Sequence, residues 1–190
     1  MTERAAKPGS KEAILDAATA LIRKEGVAGL AIADVIAASG TSAGSIYHHF
    51  KSRHELVLAV AKRALVSPLE SALREPQPEL VAPAELFDAA VQRVLRDEGT
   101  AELLIQIWAG MAGDAALRQL INDEVSGLHW AVAAQLRAWC VAQDRLQDAH
   151  TIAQLVVGLV AGLVVQKSLL ADSFDPPTYL AMGRRVLSDV

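Results

Sequence analysis

The stretch Gly40-Thr41-Ser42-Ala43-Gly44-Ser45-Ile46-Tyr47-His48-His49-Phe50-Lys51-Ser52-Arg53-His54-Glu55-Leu56 decides the fold. Gly40 is placed to stop a helix, because glycine enters the left-handed backbone region without steric cost. Thr41 and Ser42 then offer hydroxyls to cap the next helix. Within that helix Ile46 and Phe50 lie four apart, on one face directed at a core. Ser42, Ala43, Gly44 and Ser45 fill its first turn with small side chains and leave backbone N–H groups pointing outward. A major groove admits such a helix, and helix N-termini favour phosphate. Tyr47, His48, His49, Lys51 and Arg53 add hydroxyl, imidazole and cationic donors on the flanks. Donors of this kind suit phosphate oxygens, which fix register rather than sequence.

Upstream, Ser10 is a candidate N-cap for a helix with Ile14, Leu15, Ala18, Leu21 and Ile22 on one face. Gly26 closes that helix, and a short second one carries Leu30, Ile32, Val35 and Ile36 inward before Gly40. Helix, short helix, glycine turn, short helix is the order of a helix-turn-helix unit. Downstream, a longer helix opens at Arg53 with Leu56, Val57, Val60, Ala61 and Ala64 on its buried stripe, and Pro68 must kink or end it. Pro76 and Pro78 mark an extended linker.

The rest alternates wide apolar stripes with breakers. Leu86, Phe87, Ala90, Val91, Val94 and Leu95 define one helix. Gly99 and Thr100, as breaker and cap, open another with Leu104, Ile107, Trp108 and Met111. Asp114 caps a long helix through Leu117, Ile121, Leu128, Val132, Leu136 and Cys140. An apolar helix follows at 151–171, and Asp175-Pro176 starts the last one. The expectation is an all-α protein of about nine helices. Its three-helix headpiece occupies 1–52, and a larger all-helical domain occupies 53–190.

Composition agrees. Of 190 residues, 52% are hydrophobic and only 4% aromatic, a core of Ala, Leu and Val that favours helices over strands. Such a chain can bury enough surface to offset its ordering entropy, which excludes disorder. A single cysteine, Cys140, excludes a disulfide scaffold and reads as an inert buried hydrophobe. The net charge of −4 divides into +3 up to Arg63 and −7 beyond it, a basic reader on an acidic body. No export signal is expected from the first ten residues, so the cytoplasm is the expected location. The apolar run 155–165 is short of the roughly 20 residues that span a bilayer. Its Gly158 and Gly162 read as a close contact between helices of a soluble protein.

The first sixty or so residues resemble the DNA-binding domain of the tetracycline-repressor (TetR) family of bacterial transcription regulators. Gly40, Ser42, Gly44, Ile46, Tyr47, His49, Phe50, Lys51, Ser52, Arg53, Glu55 and Leu56 carry the resemblance. It implies a homodimer that reads a palindromic operator in double-stranded DNA and is released as a repressor by a small, mostly apolar ligand. It places base contacts at Ser42, Ala43, Gly44 and Ser45, and phosphate contacts at Tyr47, His48, His49 and Arg53. Lys51 joins the phosphate contacts on its chemistry, and Arg4 and Lys7 are a candidate basic tail. The resemblance makes 53–190 the regulatory and dimerisation domain and puts the dimer contact on the last two long helices, near 155–170 and 179–186.

Two departures from the family pattern stand out. Ala31 sits where a capping Thr or Ser is usual. The recognition helix also offers no Arg, Asn or Gln for bidentate base readout, which shifts specificity toward backbone fit, Ser hydroxyls and DNA shape.

For an effector wall the candidates are Leu104, Trp108, Met111 and His129, set against their reading as ordinary core. His48, His49 and His54 are close in sequence, but neighbouring positions diverge by about 100° on a helix, and no metal site is expected. With no nucleophile motif or phosphate-cradling loop, neither a catalytic role nor a cofactor is expected. The alternative function is an all-helical small-molecule carrier or enzyme with a vestigial headpiece.

Overall fold

A computed structural model describes residues 9–67, 80–95 and 99–190, and among them the chain forms nine α-helices and no strand. The headpiece comprises α1 (Ser10–Gly29), α2 (Ile32–Ser39) and α3 (Ala43–His49). Next comes α4 (Arg53–Ala61), which runs on through a π-helical turn at Lys62–Val66. The body is built from α5 (Pro83–Val94), α6 (Thr100–Ala112), α7 (Ala115–Ala142), α8 (Ala149–Leu170) and α9 (Pro176–Ser188).

Local chemistry sets most of the ends. Gly26, at φ +73°, breaks the helical path of α1 three residues before its last turn finishes. Gly40, at φ +65°, stops α2. Ser42 Oγ accepts from the Ser45 N–H at 3.1 Å, and Ser52 Oγ accepts from the Glu55 N–H at 3.1 Å. The Glu55 carboxylate returns the favour to the Lys51 N–H at 2.8 Å, a variant of the capping box displaced by one residue. Asp114 Oδ1 accepts from the Leu117 N–H at 2.9 Å and so opens α7. Ala31 contributes no side-chain cap to α2.

Two expected caps fall elsewhere. Gly9 holds the N-cap position of α1, so Ser10 is already helical and its hydroxyl is free to face α3. Thr100 is likewise the first helical residue of α6, behind Gly99, and is 97% buried. The Arg23 guanidinium lies where any side chain at position 99 would go, which favours glycine there. Pro68, the prolines at 76 and 78, and the tail residues Arg4 and Lys7 lie outside the described residues.

Two hydrophobic clusters organise the molecule. The first joins Ile14, Ala18, Ile22, Val35, Ile46 and Phe50 of the headpiece to Leu56, Val57 and Val60 of α4. It also takes in Leu103 and Ile107 of α6 and Leu117 and Ile121 of α7. The second lies among α5, α7, α8 and α9, around Phe87, Leu136, Ile152, Leu163 and Leu187, with Leu104 at its edge. Adjacent residues Leu103 and Leu104 thus enter different clusters, and α6 is the seam between them. Its approach to α1 is close: a Cβ on Gly110 would lie 2.6 Å from Val27 Cβ.

The 22-residue α8 is long and apolar enough to cross a bilayer by length and composition, beyond what the run 155–165 indicates. Ile152, Ala153, Val156, Val160, Leu163 and Val164 of this helix are nevertheless buried against neighbouring helices. The glycine pair divides: Gly158 faces open space, whereas Gly162 is roofed by Tyr179 Oη, which donates to the Leu159 carbonyl at 2.9 Å. Burial pushes the Tyr179 hydroxyl pKa up, so the donor stays protonated.

Candidate nucleic-acid interface and effector cavity

The recognition surface is α3. Ile46 is 99% buried and Phe50, at its C-terminal cap, 96% buried, so the pair anchors the helix to the headpiece core. Ser42, Ala43, Gly44, Tyr47, His48, His49 and Lys51 face solvent on the other side. Tyr47 is 54% exposed, which removes it from the core. A Cβ on Gly44 would meet nothing nearer than Ser42 Oγ at 3.8 Å, so the backbone here is bare to an approaching partner. Among exposed groups, an uncovered first turn beside hydroxyl, imidazole and ammonium donors is a surface that can accept nucleic-acid phosphates and groove edges.

Ser45 is partly covered, and the reason is Ser10. Ser10 Oγ lies 2.7 Å from Ser45 Oγ and 3.1 Å from His49 Nε2, tying the start of α1 to both ends of α3. Sequence carried no signal of this, since the contact spans 35 and 39 positions.

Arg53 is oriented away from the rest of the set. Its Nε donates to the Leu30 carbonyl at 2.8 Å, and its Nη2 donates to the Val27 carbonyl. Both carbonyls lie at the end of α1, where the Val27 carbonyl also accepts from the Leu30 N–H at 3.2 Å. The guanidinium therefore fastens the α1–α2 turn to α4, while Lys51, two residues earlier, is exposed.

His54 also parts from its neighbours. Its Nε2 is 2.6 Å from Asp114 Oδ2, across the junction between α4 and the start of α7. The Leu117 N–H bond and then the His54 bond hold the Asp114 carboxyl below its ordinary pKa range. His48 and His49 remain on α3 with ring centroids 5.1 Å apart.

Behind the headpiece, α4 and its π-helical turn, α6, α7 and α8, with Val94 of α5, line a cavity of about 290 Å³ that is partly open to solvent. Leu104, Trp108 and Met111 of α6 line it, as their helical spacing predicts. His129 does not. It lies one position beyond Leu128, which does line the cavity, and the 100° step turns it toward His150, with ring centroids 6.0 Å apart. Burial first, and the charge of His150 second, lower the His129 pKa. The wall that sequence reasoning missed comes from α4: Leu58, Ala61, Lys62 and Val66. The i, i+3, i+4, i+8 spacing of these residues was available as a signal, but it reads equally as a core stripe.

A helix-turn-helix headpiece with an exposed, capped recognition helix, on an all-helical body, defines a DNA-binding regulator. A family model described as bacterial regulatory proteins, tetR family, matches residues 14–60. The HTH-type transcriptional regulator CymR of Pseudomonas putida is 30% identical over 168 residues, covering 86% of this chain and 81% of CymR. The HTH-type transcriptional regulator BetI of Rhizobium meliloti is 24% identical, over 86% of this chain and 80% of BetI. Among solved structures, Salmonella enterica GusR superposes with a TM-score of 0.75 at 19% identity, covering 95% of this chain and 94% of GusR. FadR of Bacillus subtilis, solved with stearoyl-CoA, superposes with a TM-score of 0.71 at 16% identity, covering 93% of this chain and 96% of FadR. The chain belongs to the TetR family and is a DNA-binding transcriptional regulator.

Proposed function

We propose that the chain is a homodimeric repressor that binds a palindromic operator and leaves it when a small, mostly apolar molecule enters the cavity. One observation carries this reading: α4 serves both sites. Leu56, Val57 and Val60 pack into the headpiece cluster, while Leu58, Ala61, Lys62 and Val66 line the cavity. An occupant that favours a different seating of α4 therefore moves the headpiece, which is the differential contact that allostery requires. In this reading 1–52 is the unit that moves and 53–190, beginning with α4, is the unit that senses. The body acts in the cytoplasm and has no catalytic role.

Ser42, Ala43, Gly44 and Ser45 are assigned to the groove, and Tyr47, His48, His49 and Lys51 to phosphates. Arg53 is assigned to positioning. The dimer is assigned to α8 and α9, where Leu155, Leu169, Met182 and Val186 stand 42%, 65%, 54% and 43% exposed. An isologous pairing of that face removes apolar surface that one chain leaves in water.

The test is nuclease footprinting of the full chain on DNA from its own upstream region. Two protected half-sites with centres about one helical turn apart, roughly 34–36 Å, are expected. A single protected half-site, or a chain that sediments as a monomer at micromolar concentration, contradicts the dimer.

A further inference from the structure

The cavity wall holds three polar side chains among apolar ones: Lys62, Asn122 and Glu124. Lys62 extends from the π-helical turn after α4, and Glu124 from α7. Lys62 Nζ stands 2.5 Å from Glu124 Oε2. The two partners differ in how they meet water. The Lys62 side chain is 47% exposed, the Glu124 side chain 25%. Glu124 Oε2 itself is sealed from solvent and has no hydrogen bond of acceptable geometry, so the ammonium charge alone compensates it.

From this asymmetry we propose that the cavity takes a hydrophobic organic cation, whose ammonium group replaces Lys62 on Glu124. The inference rests on the reading of the cavity as the effector site. An anionic ligand could reach the cavity charge only by sharing the Lys62 ammonium, which sets a second negative charge beside the sealed Glu124 oxygen, or by drawing Lys62 away and leaving that oxygen with no partner. A cationic ligand keeps that oxygen paired and offers it an N–H donor. The displaced Lys62 ammonium then returns to water on its four-carbon stem, which costs little because half of the side chain is already there. Asn122 both donates and accepts, so it favours neither sign. Trp108 lines the same wall, and an aromatic ring attracts a cation over its face and not an anion. The exchange also removes one of the links between the α4 end and α7, while the His54–Asp114 bond and the apolar packing at the other end of that junction stay in place.

The experiment is calorimetric titration of the full chain, without DNA, with three probes that share one para-butylphenyl body: the benzylamine, the benzyl alcohol and the benzoate. The amine is expected to bind at least about tenfold tighter than the alcohol, and the alcohol tighter than the benzoate. Glu124→Gln should remove the advantage of the amine while leaving alcohol binding intact, which also shows that the variant is folded. Lys62→Met, which removes the competing ammonium, should tighten the amine severalfold. If Glu124→Gln does not fold, Glu124→Asp, with its carboxylate drawn back by one methylene, should weaken the amine alone. A benzoate that binds as well as the amine, an amine no better than the alcohol, or a Glu124→Gln protein that keeps the preference overturns the cation proposal and leaves the cavity reading standing. Failure of all three probes to bind overturns both.

Discussion

Lys51 and Arg53 stand two residues apart in one motif, and their surroundings assign them different roles. Lys51 is exposed beside α3, whereas Arg53 donates to the carbonyls of Val27 and Leu30. Hydrogen bonds to a charged donor contribute about 1.5–3 kcal/mol. Arg53→Ala should therefore lower the thermal midpoint by roughly 3–12 °C in a chain of this size. Lys51→Ala should leave the midpoint within about 1 °C, since exposed charges without partners contribute little. Differential scanning calorimetry separates the two, and equal midpoints would refute the assignment. Cys140 is fully buried, and burial pushes its thiol pKa up. It should resist a thiol reagent until the chain unfolds. The motif made the exposure of Tyr47 and Lys51 and the burial of Phe50 readable, because these follow from position in and just after one short helix. Arg53 was not, since its partners lie 23 and 26 positions away. Ser10 escaped for the same reason.

Between elements, close approach and capping decide the effects. Gly110→Ala would gain up to about 1 kcal/mol in helix propensity. The new methyl would also meet the stiff Val27 side chain, where a Cβ would lie 2.6 Å from Val27 Cβ. Overpacking of that kind costs about 1–3 kcal/mol, so denaturant unfolding should show a net loss. An unchanged or raised midpoint would mean that α1 and α6 have room to separate.

The Asp114 cap makes a second prediction between elements. Its carboxyl is held below the ordinary range in the folded chain, so its contribution is complete above the unfolded pKa and is lost as pH falls through the lowered native value. Asp114→Asn should flatten that acid limb, and an unaltered pH dependence of stability would remove the cap from the account. Gly26, Gly40, Ser42 and Asp114 were readable as helix ends because glycine backbone freedom and side-chain caps are local. Thr100 was misplaced because its side chain is buried in the packed chain, which a local capping pattern does not contain.

Across the whole molecule, the charge division and the two clusters describe a basic reader fastened to an acidic sensor through α4 and α6. Helix count and order were written in the apolar stripes. The cavity was readable only in part: Leu104, Trp108 and Met111 share a face of one helix, but enclosure by α4 and α8 is a tertiary fact. The exposed face of α8 and α9 makes a further prediction. Gly158 has nothing within 4 Å, so Gly158→Glu costs the single chain little and should shift sedimentation from dimer to monomer. A dimer that survives it places the interface elsewhere. The central claim, that α3 and its flanks hold DNA, is tested most directly by titrating the full chain against its upstream DNA across a salt series, wild type beside Lys51→Ala. The logarithm of the binding constant should fall linearly with that of salt concentration, and the slope should flatten by about 0.9 in the variant as one phosphate contact is lost. Binding indifferent to salt, or an identical slope in Lys51→Ala, would contradict it.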